Sequence, residues 1–304
     1  MPMPREIEVK TILNKTKRRD PWFLDDYSVN LYSSCSFNCL YCYIRGSKYG
    51  NNLESSLSVK TNAIELLNKQ LSNRAKKGQH GIIVLSSATD PYLKIEQKYE
   101  LTRQALEVIL KYRFPVHMIT KSDGIERDFD LLQKIHREAI LPNDLIGRLS
   151  GGTLVSFSFS SLDDKVGRIF EPGAPPPSKR LVAVEKSLEA GLPTGINLMP
   201  LLPWISDTTA SLEEFFRVFA KLKVDYVLPA TISLFGNSKA DSKTLVLKAV
   251  AKHYPDLLSK YEQYFASGTT VPQFYHRAFN EKMKSLAQAS GLPNSIGLVP
   301  QKRQ

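Results

Sequence analysis

The chain has 304 residues, 42% of them apolar and 23% charged, and its 41 Lys and Arg outweigh 30 Asp and Glu to give a net charge of +11. This balance is that of an ordinary soluble protein with one main domain, long enough to bury a large core. It excludes a membrane-spanning chain, because no apolar run approaches bilayer length; with no apolar stretch after the basic N-terminus, the expected compartment is the cytoplasm.

Residues 1–24 read as a basic arm carrying Lys15, Lys17, Arg18 and Arg19. Tyr27 to Tyr32 (Y-S-V-N-L-Y) reads as a short strand that delivers the chain into a segment holding all three cysteines, Cys35, Cys39 and Cys42. Past a loop with Gly46, Gly50, Asn51 and Asn52, residues 61–77 place Ala63, Leu66, Leu67 and Leu71 on one helical face and stop at Lys76, Lys77 and Gly78. The apolar run 81–85 (G-I-I-V-L) is typical of a strand buried on both faces, and a polar loop, Ser86 to Asp90, leads to an amphipathic helix at about 99–111. The alternation continues with strands at 115–120, 153–160, 193–199 and 225–233 and helices at 128–139, 178–190 and 212–222.

Alternation of this kind predicts parallel strands joined by right-handed helical crossovers, closed as an open doubly wound sheet or as a barrel. No Gly-rich dinucleotide fingerprint follows the first strand, which weakens the first option. Beyond residue 236 the pattern becomes helical, at 242–253, 256–265 and 274–289. Tyr254, Tyr261, Tyr264, Phe265, Phe274, Tyr275 and Phe279 lie in or beside these helices, where they pack on the barrel as a cap or offer a base-stacking surface. The expected division is therefore an arm (1–24), a core domain (25–236) and a helical cap (237–304).

The cysteines are spaced C-x-x-x-C-x-x-C, and the chain has no others. Thiolates select iron–sulfur clusters, zinc or copper(I). Three thiolates leave one iron of a four-iron cluster without a protein ligand. A structural zinc site is closed by four ligands, and no second closely spaced pair exists here; His80, His117, His136, His253 and His276 are scattered. A zinc site completed by a distant His, buried thiols and a disulfide are the competing readings, the last disfavoured by the odd count.

At these residues the chain resembles the radical S-adenosylmethionine superfamily. Further segments, Ser87-Ala88-Thr89-Asp90-Pro91-Tyr92 with Glu96, Leu101-Thr102-Arg103, Ile119-Thr120-Lys121-Ser122, Arg127-Asp128-Phe129-Asp130-Leu131-Leu132 and Glu171-Pro172-Gly173-Ala174-Pro175, are similar to its spore photoproduct lyase-like branch over roughly residues 25–235. The resemblance implies an α/β fold, a partial (β/α)6 TIM-type barrel with a C-terminal helical extension, and chemistry on the loops after the strands. It implies a 4Fe–4S cluster on Cys35, Cys39 and Cys42, with S-adenosyl-L-methionine chelating the open iron and cleaved reductively to a 5′-deoxyadenosyl radical. An electron donor such as ferredoxin or flavodoxin is then required.

The resemblance also assigns further residues. Tyr41 borders the adenine, or packs its ring under the loop. Thr89 and Asp90, with Ser87, contact the cofactor's amino group, although Asp90-Pro91 also suits a turn. Lys121 faces the carboxylate, its alternative being an ion pair with Asp123 or Asp128. Ser158 lies near the ribose, with Ser156 and Ser160 on the same strand face, and Asn197 and Met199 line the pocket or the core. No cysteine is spare to return hydrogen to a product radical, as spore photoproduct lyase is understood to do; either a tyrosine, with Tyr43, Tyr92 and Tyr99 as candidates, takes that step, or the cofactor is regenerated directly, or the substrate is not a thymine dimer, the last being favoured. The charge of +11 attracts polyanions and favours a nucleic acid base or nucleotide as substrate. The rival readings are modification of a protein or peptide, and a non-enzymatic nucleic-acid-binding protein with a structural metal.

Overall fold

A computed structural model describes residues 4–50, 57–85 and 87–297; Ser86, Asn51 and Asn52 lie outside the described residues. In chain order the N-terminal half contains β1 (Arg5–Ile7), β2 (Leu13–Lys15), β3 (Tyr27–Val29), β4 (Tyr32–Ser33), β5 (Ser58–Lys60), α1 (Ala63–Ala75), β6 (Ile83–Leu85), α2 (Glu96–Tyr99), α3 (Leu101–Lys111), β7 (Val116–Thr120) and α4 (Phe129–Glu138). There follow β8 (Thr153–Phe159), α5 (Asp164–Phe170), α6 (Pro177–Glu189), β9 (Thr194–Leu201), α7 (Thr209–Leu222), β10 (Val227–Thr231), α8 (Ser242–His253), α9 (Leu258–Tyr264) and α10 (Gln273–Ser290).

Six strands, β3, β6, β7, β8, β9 and β10, lie parallel in that order, and β2 adds antiparallel to β3 at the edge. This is the partial (β/α)6 barrel that the family resemblance implies, one of the two closures that the alternation left open. Every residue of β8 is buried, as a strand covered on both faces requires. The crossover helices present apolar stripes to the outer sheet face; in α7 these are Leu212, Phe215, Phe216 and Phe219, a spacing of three and four. They pack with Val116, Met118, Val155, Phe157, Phe159, Ile196 and Leu198 in the principal core.

Strand alternation sends the other residues of β7 to β9 into the lumen. Its floor is filled by Leu24, Ile82, Leu145, Leu154, Tyr226, Leu228 and Ile296. Gly195 on β9 admits the Tyr226 ring, which would lie 2.1 Å from any Cβ placed there. The Val227 N–H donates to the Pro293 carbonyl at 2.9 Å, so the segment after α10 lies along β10.

Several expectations are corrected. The 27–32 segment is not one strand: Asn30 leaves the ladder because its side chain accepts the Ala88 N–H at 2.9 Å and donates to Ser87 Oγ at 2.8 Å, and Tyr32–Ser33 joins a second sheet of order β1-β5-β4. The basic N-terminal segment is not a free arm, since β1 pairs with β5, β2 extends the main sheet, and Arg19 forks onto Asp26. The helix at 99–111 is split, because Glu100 takes a left-handed φ of 50° between α2 and α3. Helix α5 was not anticipated; Asp163 caps it by accepting the Lys165 N–H. The 256–265 stretch opens with a 3₁₀ turn, Pro255–Leu257.

Candidate active site

The cysteine loop follows β4 and lies at the C-terminal ends of the strands. The Cys35 thiol receives the backbone N–H groups of Phe37 and Asp90, so the loops after β4 and β6 meet at this sulfur. Burial pushes the Cys35 thiol up to about 11 and raises Cys39 further, the latter opposed by the Lys121 ammonium. The three thiols are free and within electrostatic reach of one another. Among the described residues no three His, Cys, Asp or Glu side chains stand close enough to grip a single ion. Ligands that each take a different metal atom of one cluster are spaced more widely than the ligands of one tetrahedral ion.

The wall behind this loop is a buried ion pair. Arg180 from α6 is fully buried and bonds the Glu171 carboxylate, which also accepts from the Tyr41 hydroxyl and, at 2.8 Å, from Ser160. Arg180 also donates to the Ser158 carbonyl at 3.1 Å and the Pro175 carbonyl at 2.9 Å. Burial alone would raise the Glu171 carboxyl, but Arg180 and then Lys121 hold it below its ordinary value. Gly173 closes the joint: its N–H donates to the Phe37 carbonyl at 2.9 Å, and a Cβ there would stand 2.2 Å from the Ser36 carbonyl oxygen. The Glu171-Pro172-Gly173 segment thus fastens the cysteine loop to the end of β8. Tyr41 is 5% exposed, its ring packed under the loop beside Phe170, Leu202 and Tyr261.

Lys121 follows β7. Its ammonium stands 5.9 Å over the Tyr41 ring and makes no ion pair or hydrogen bond among the described residues. The alternative partner Asp128 is taken by Arg103 and Arg127 at 2.9 and 2.8 Å. On the lumen face, Ser158 pairs in register with Asn197 across β8 and β9. Asn197 is 1% exposed, yet its Oδ1 has no hydrogen-bond partner among the described residues. A buried acceptor left open costs about 1–3 kcal/mol. Met199 packs beside the floor.

The other expected residues are distributed as follows. Asp90 acts as a brace: its carboxylate accepts from the Tyr92 N–H (2.9 Å), Thr120 Oγ1 (2.8 Å) and the Lys121 N–H (2.7 Å), which uses three of about four acceptor sites. The bond to Tyr92 is the turn contact that Asp-Pro suggests. Thr89 is buried and reaches the Tyr32 carbonyl at 3.4 Å. Ser87 is exposed and held by Asn30 and by the Tyr43 hydroxyl, which donates to its carbonyl. Tyr43 is thus at the rim, 43% exposed. Tyr92 is buried with its hydroxyl toward Asp128, and Tyr99 is on the outer surface, bonded to Glu6 at 2.8 Å. Ser156 is committed to His117 and Tyr226 at 2.7 Å each, and Ser160 to Glu171. The Glu96, Leu101-Thr102-Arg103 and Arg127-Asp128 segments form one outer network, in which Glu96 accepts from Tyr32, the Thr102 N–H and Arg127. Sequence reasoning missed Arg180; an arginine inside an apolar helical face was the available signal.

Six parallel strands with helices between them form a β/α barrel, a class whose enzymes carry their chemistry on the loops after the strands. The chain belongs to the Radical SAM superfamily, whose sequence profile matches residues 29–217. Its cofactors are a 4Fe–4S cluster and S-adenosylmethionine, and it needs a reductant. An uncharacterized protein of Mycobacterium tuberculosis is 24% identical over 266 residues, covering 86% of this chain and 73% of that one. One of Methanocaldococcus jannaschii is 29% identical over 206 residues, covering 66% and 69%. The radical SAM Nα-GlyT isomerase of Pseudomonas phage M6 is 23% identical over 171 residues, covering 56% and 32%. Among solved structures, a spore photoproduct lyase variant superimposes with a TM-score of 0.64 at 17% identity, covering 93% of this chain and 78% of that one; the likeness is one of fold. A related lyase structure, with bound AdoMet and dinucleoside spore photoproduct, gives 0.62 over the same coverage. No helix of the described residues is long and apolar enough to cross a membrane.

Proposed function

We propose that this radical SAM enzyme acts on a nucleic acid base or nucleotide, with Cys35, Cys39 and Cys42 each holding one iron of the cluster. The observation that carries the site assignment is the group of polar atoms left open at the mouth: the Lys121 ammonium, the Ser158 hydroxyl and Asn197 Oδ1. These fit a zwitterionic, ribose-bearing cofactor. Lys121 would hold its carboxylate, Ser158 and Asn197 its ribose hydroxyls, and Thr89, Ser87 and the remaining acceptor site of Asp90 its amino group. When bound, the cluster and S-adenosylmethionine supply one-electron cleavage and hydrogen-abstraction chemistry. The chain's contribution is orientation: Glu171, paired with Arg180, holds the Tyr41 hydroxyl against the end of β8, and Asp90 braces the loop that donates to Cys35.

Three observations support the substrate class. The chain carries +11, a solved neighbour in fold carries a dinucleoside photoproduct, and a phage relative is named for an Nα-GlyT isomerisation. Tyr43 stands at the rim, where hydrogen return to a product radical requires a donor. Anaerobically reconstituted protein given dithionite and S-adenosylmethionine is expected to release 5′-deoxyadenosine, and Cys39→Ala to release none. Oligonucleotide binding that weakens steeply with salt supports the substrate class; no binding at low salt refutes it.

A further inference from the structure

The aromatic residues of the C-terminal helices divide into two populations. Tyr261, Phe265 and Phe279 are buried, as packing requires, whereas Phe274 is 65% exposed and Tyr264 and Tyr275 are half-buried. The accessible rings converge on Trp204, in the loop after β9, which is also half-buried. Trp204 lies 4.7 Å from Tyr264 and 5.8 Å from Tyr275 between centroids, and Tyr264 lies 5.9 Å from Phe274.

The cluster is pinned from beneath. Tyr275 donates to Asp207, Asp207 accepts the Trp204 N–H at 2.6 Å, and Tyr261 donates to the Pro203 carbonyl at 3.0 Å. Its outer side is flanked by cations. Lys260 sits 5.4 Å over the Trp204 ring, and Arg277 follows Phe274 by one helical turn on α10. Both are exposed, and neither has an ion-pair partner among the described residues. Glu262 and Glu281 are the acidic neighbours on these helices, but residues 237–297 as a whole carry eight Lys and Arg against four Asp and Glu. Prearranged rings beside unpaired cations match the two halves of a single strand, base faces and phosphates.

Resting on the nucleic acid reading above, we propose that Trp204, Tyr264, Phe274 and Tyr275 form a stacking platform for single-stranded DNA, with Lys260 and Arg277 on its phosphates. None of these contacts needs a 2′-hydroxyl.

The test uses the intact reconstituted protein with Trp22→Phe, which leaves Trp204 as its sole tryptophan. A short labelled oligothymidylate is expected to quench Trp204 emission in step with its anisotropy change. An abasic strand of equal length should bind more weakly and leave the emission unchanged. Phe274→Ala should weaken binding about tenfold, within the range for one stacked base, and Lys260→Ala about threefold with a smaller salt dependence. Binding without quenching, and insensitive to Phe274→Ala, overturns the platform and leaves the substrate reading standing. Absence of binding to any oligonucleotide at low salt overturns both. RNA of matching sequence binding tenfold tighter overturns the assignment to DNA.

Discussion

The two ends of the barrel lumen are lined by the same strands and treat their polar groups in opposite ways. At the floor, Ser156 is bonded to both His117 and Tyr226, and His117 Nδ1 is bonded to the Phe23 carbonyl at 2.9 Å. Two residues further along β8, the Ser158 hydroxyl and its register neighbour Asn197 Oδ1 have no partner among the described residues, and Lys121 follows the end of β7. Buried polar groups are ordinarily paired, and this contrast is what supports the proposed cofactor position at the mouth. The floor spends its polar groups on the protein, and the mouth keeps them for something else.

The sharpest challenge is to the wall that supports the mouth. Arg180→Met strands the Glu171 carboxylate in a dry site and is expected to cost about 3–5 kcal/mol in urea unfolding. Pairing it with Glu171→Leu should restore most of that stability while loosening Tyr41, read as weaker S-adenosylmethionine binding. A full recovery of cofactor affinity would show that the wall does not position the loop.

The floor should reveal itself through pH. Burial lowers His117 to about 4, against an ordinary value of 6.5. Between these values the unfolded chain binds the proton and the folded one does not, so stability is fully present above pH 6.5 and is lost as pH falls towards 4. The loss from this residue is about 2 kcal/mol between pH 7 and pH 5. His117→Gln should flatten the urea midpoint across that range, and an unchanged slope would break the assignment of the floor.

The mouth should respond in ligand binding rather than in folding. Asn197→Leu removes an open buried acceptor, so stability is expected to hold or rise by about 1 kcal/mol while S-adenosylmethionine affinity falls about tenfold, measured by calorimetry on the reconstituted protein. The smallest effect is expected from Ser158→Ala, under about 0.5 kcal/mol in stability with a severalfold loss of affinity. Ser156→Ala, one pair lower, should show the reverse: about 1–2 kcal/mol of stability lost and affinity unchanged.

The features legible in the sequence were those written in local spacing. The C-x-x-x-C-x-x-C segment and the six-fold strand–helix alternation are periodic along the chain, and the fold follows them. What could not be read depends on partners brought together by folding. Glu171 is nine residues from Arg180 but 130 from Tyr41, and no window contains all three. Asn30 looked like a strand residue because its alternation fits; its bonds to Ser87 and Ala88, from the next β/α unit, decide otherwise. Lys121 could be placed at a strand end from the sequence, but that Asp128 is already occupied could be learned only from the positions of Arg103 and Arg127.

The floor residue Ile296 lies 65 positions after Thr231, where the last barrel strand ends. A ribosome working at about 5–20 residues per second takes roughly 3–13 s to cover that interval. Until then the floor formed by Leu24, Ile82, Leu145, Leu154, Tyr226 and Leu228 lacks its last residue.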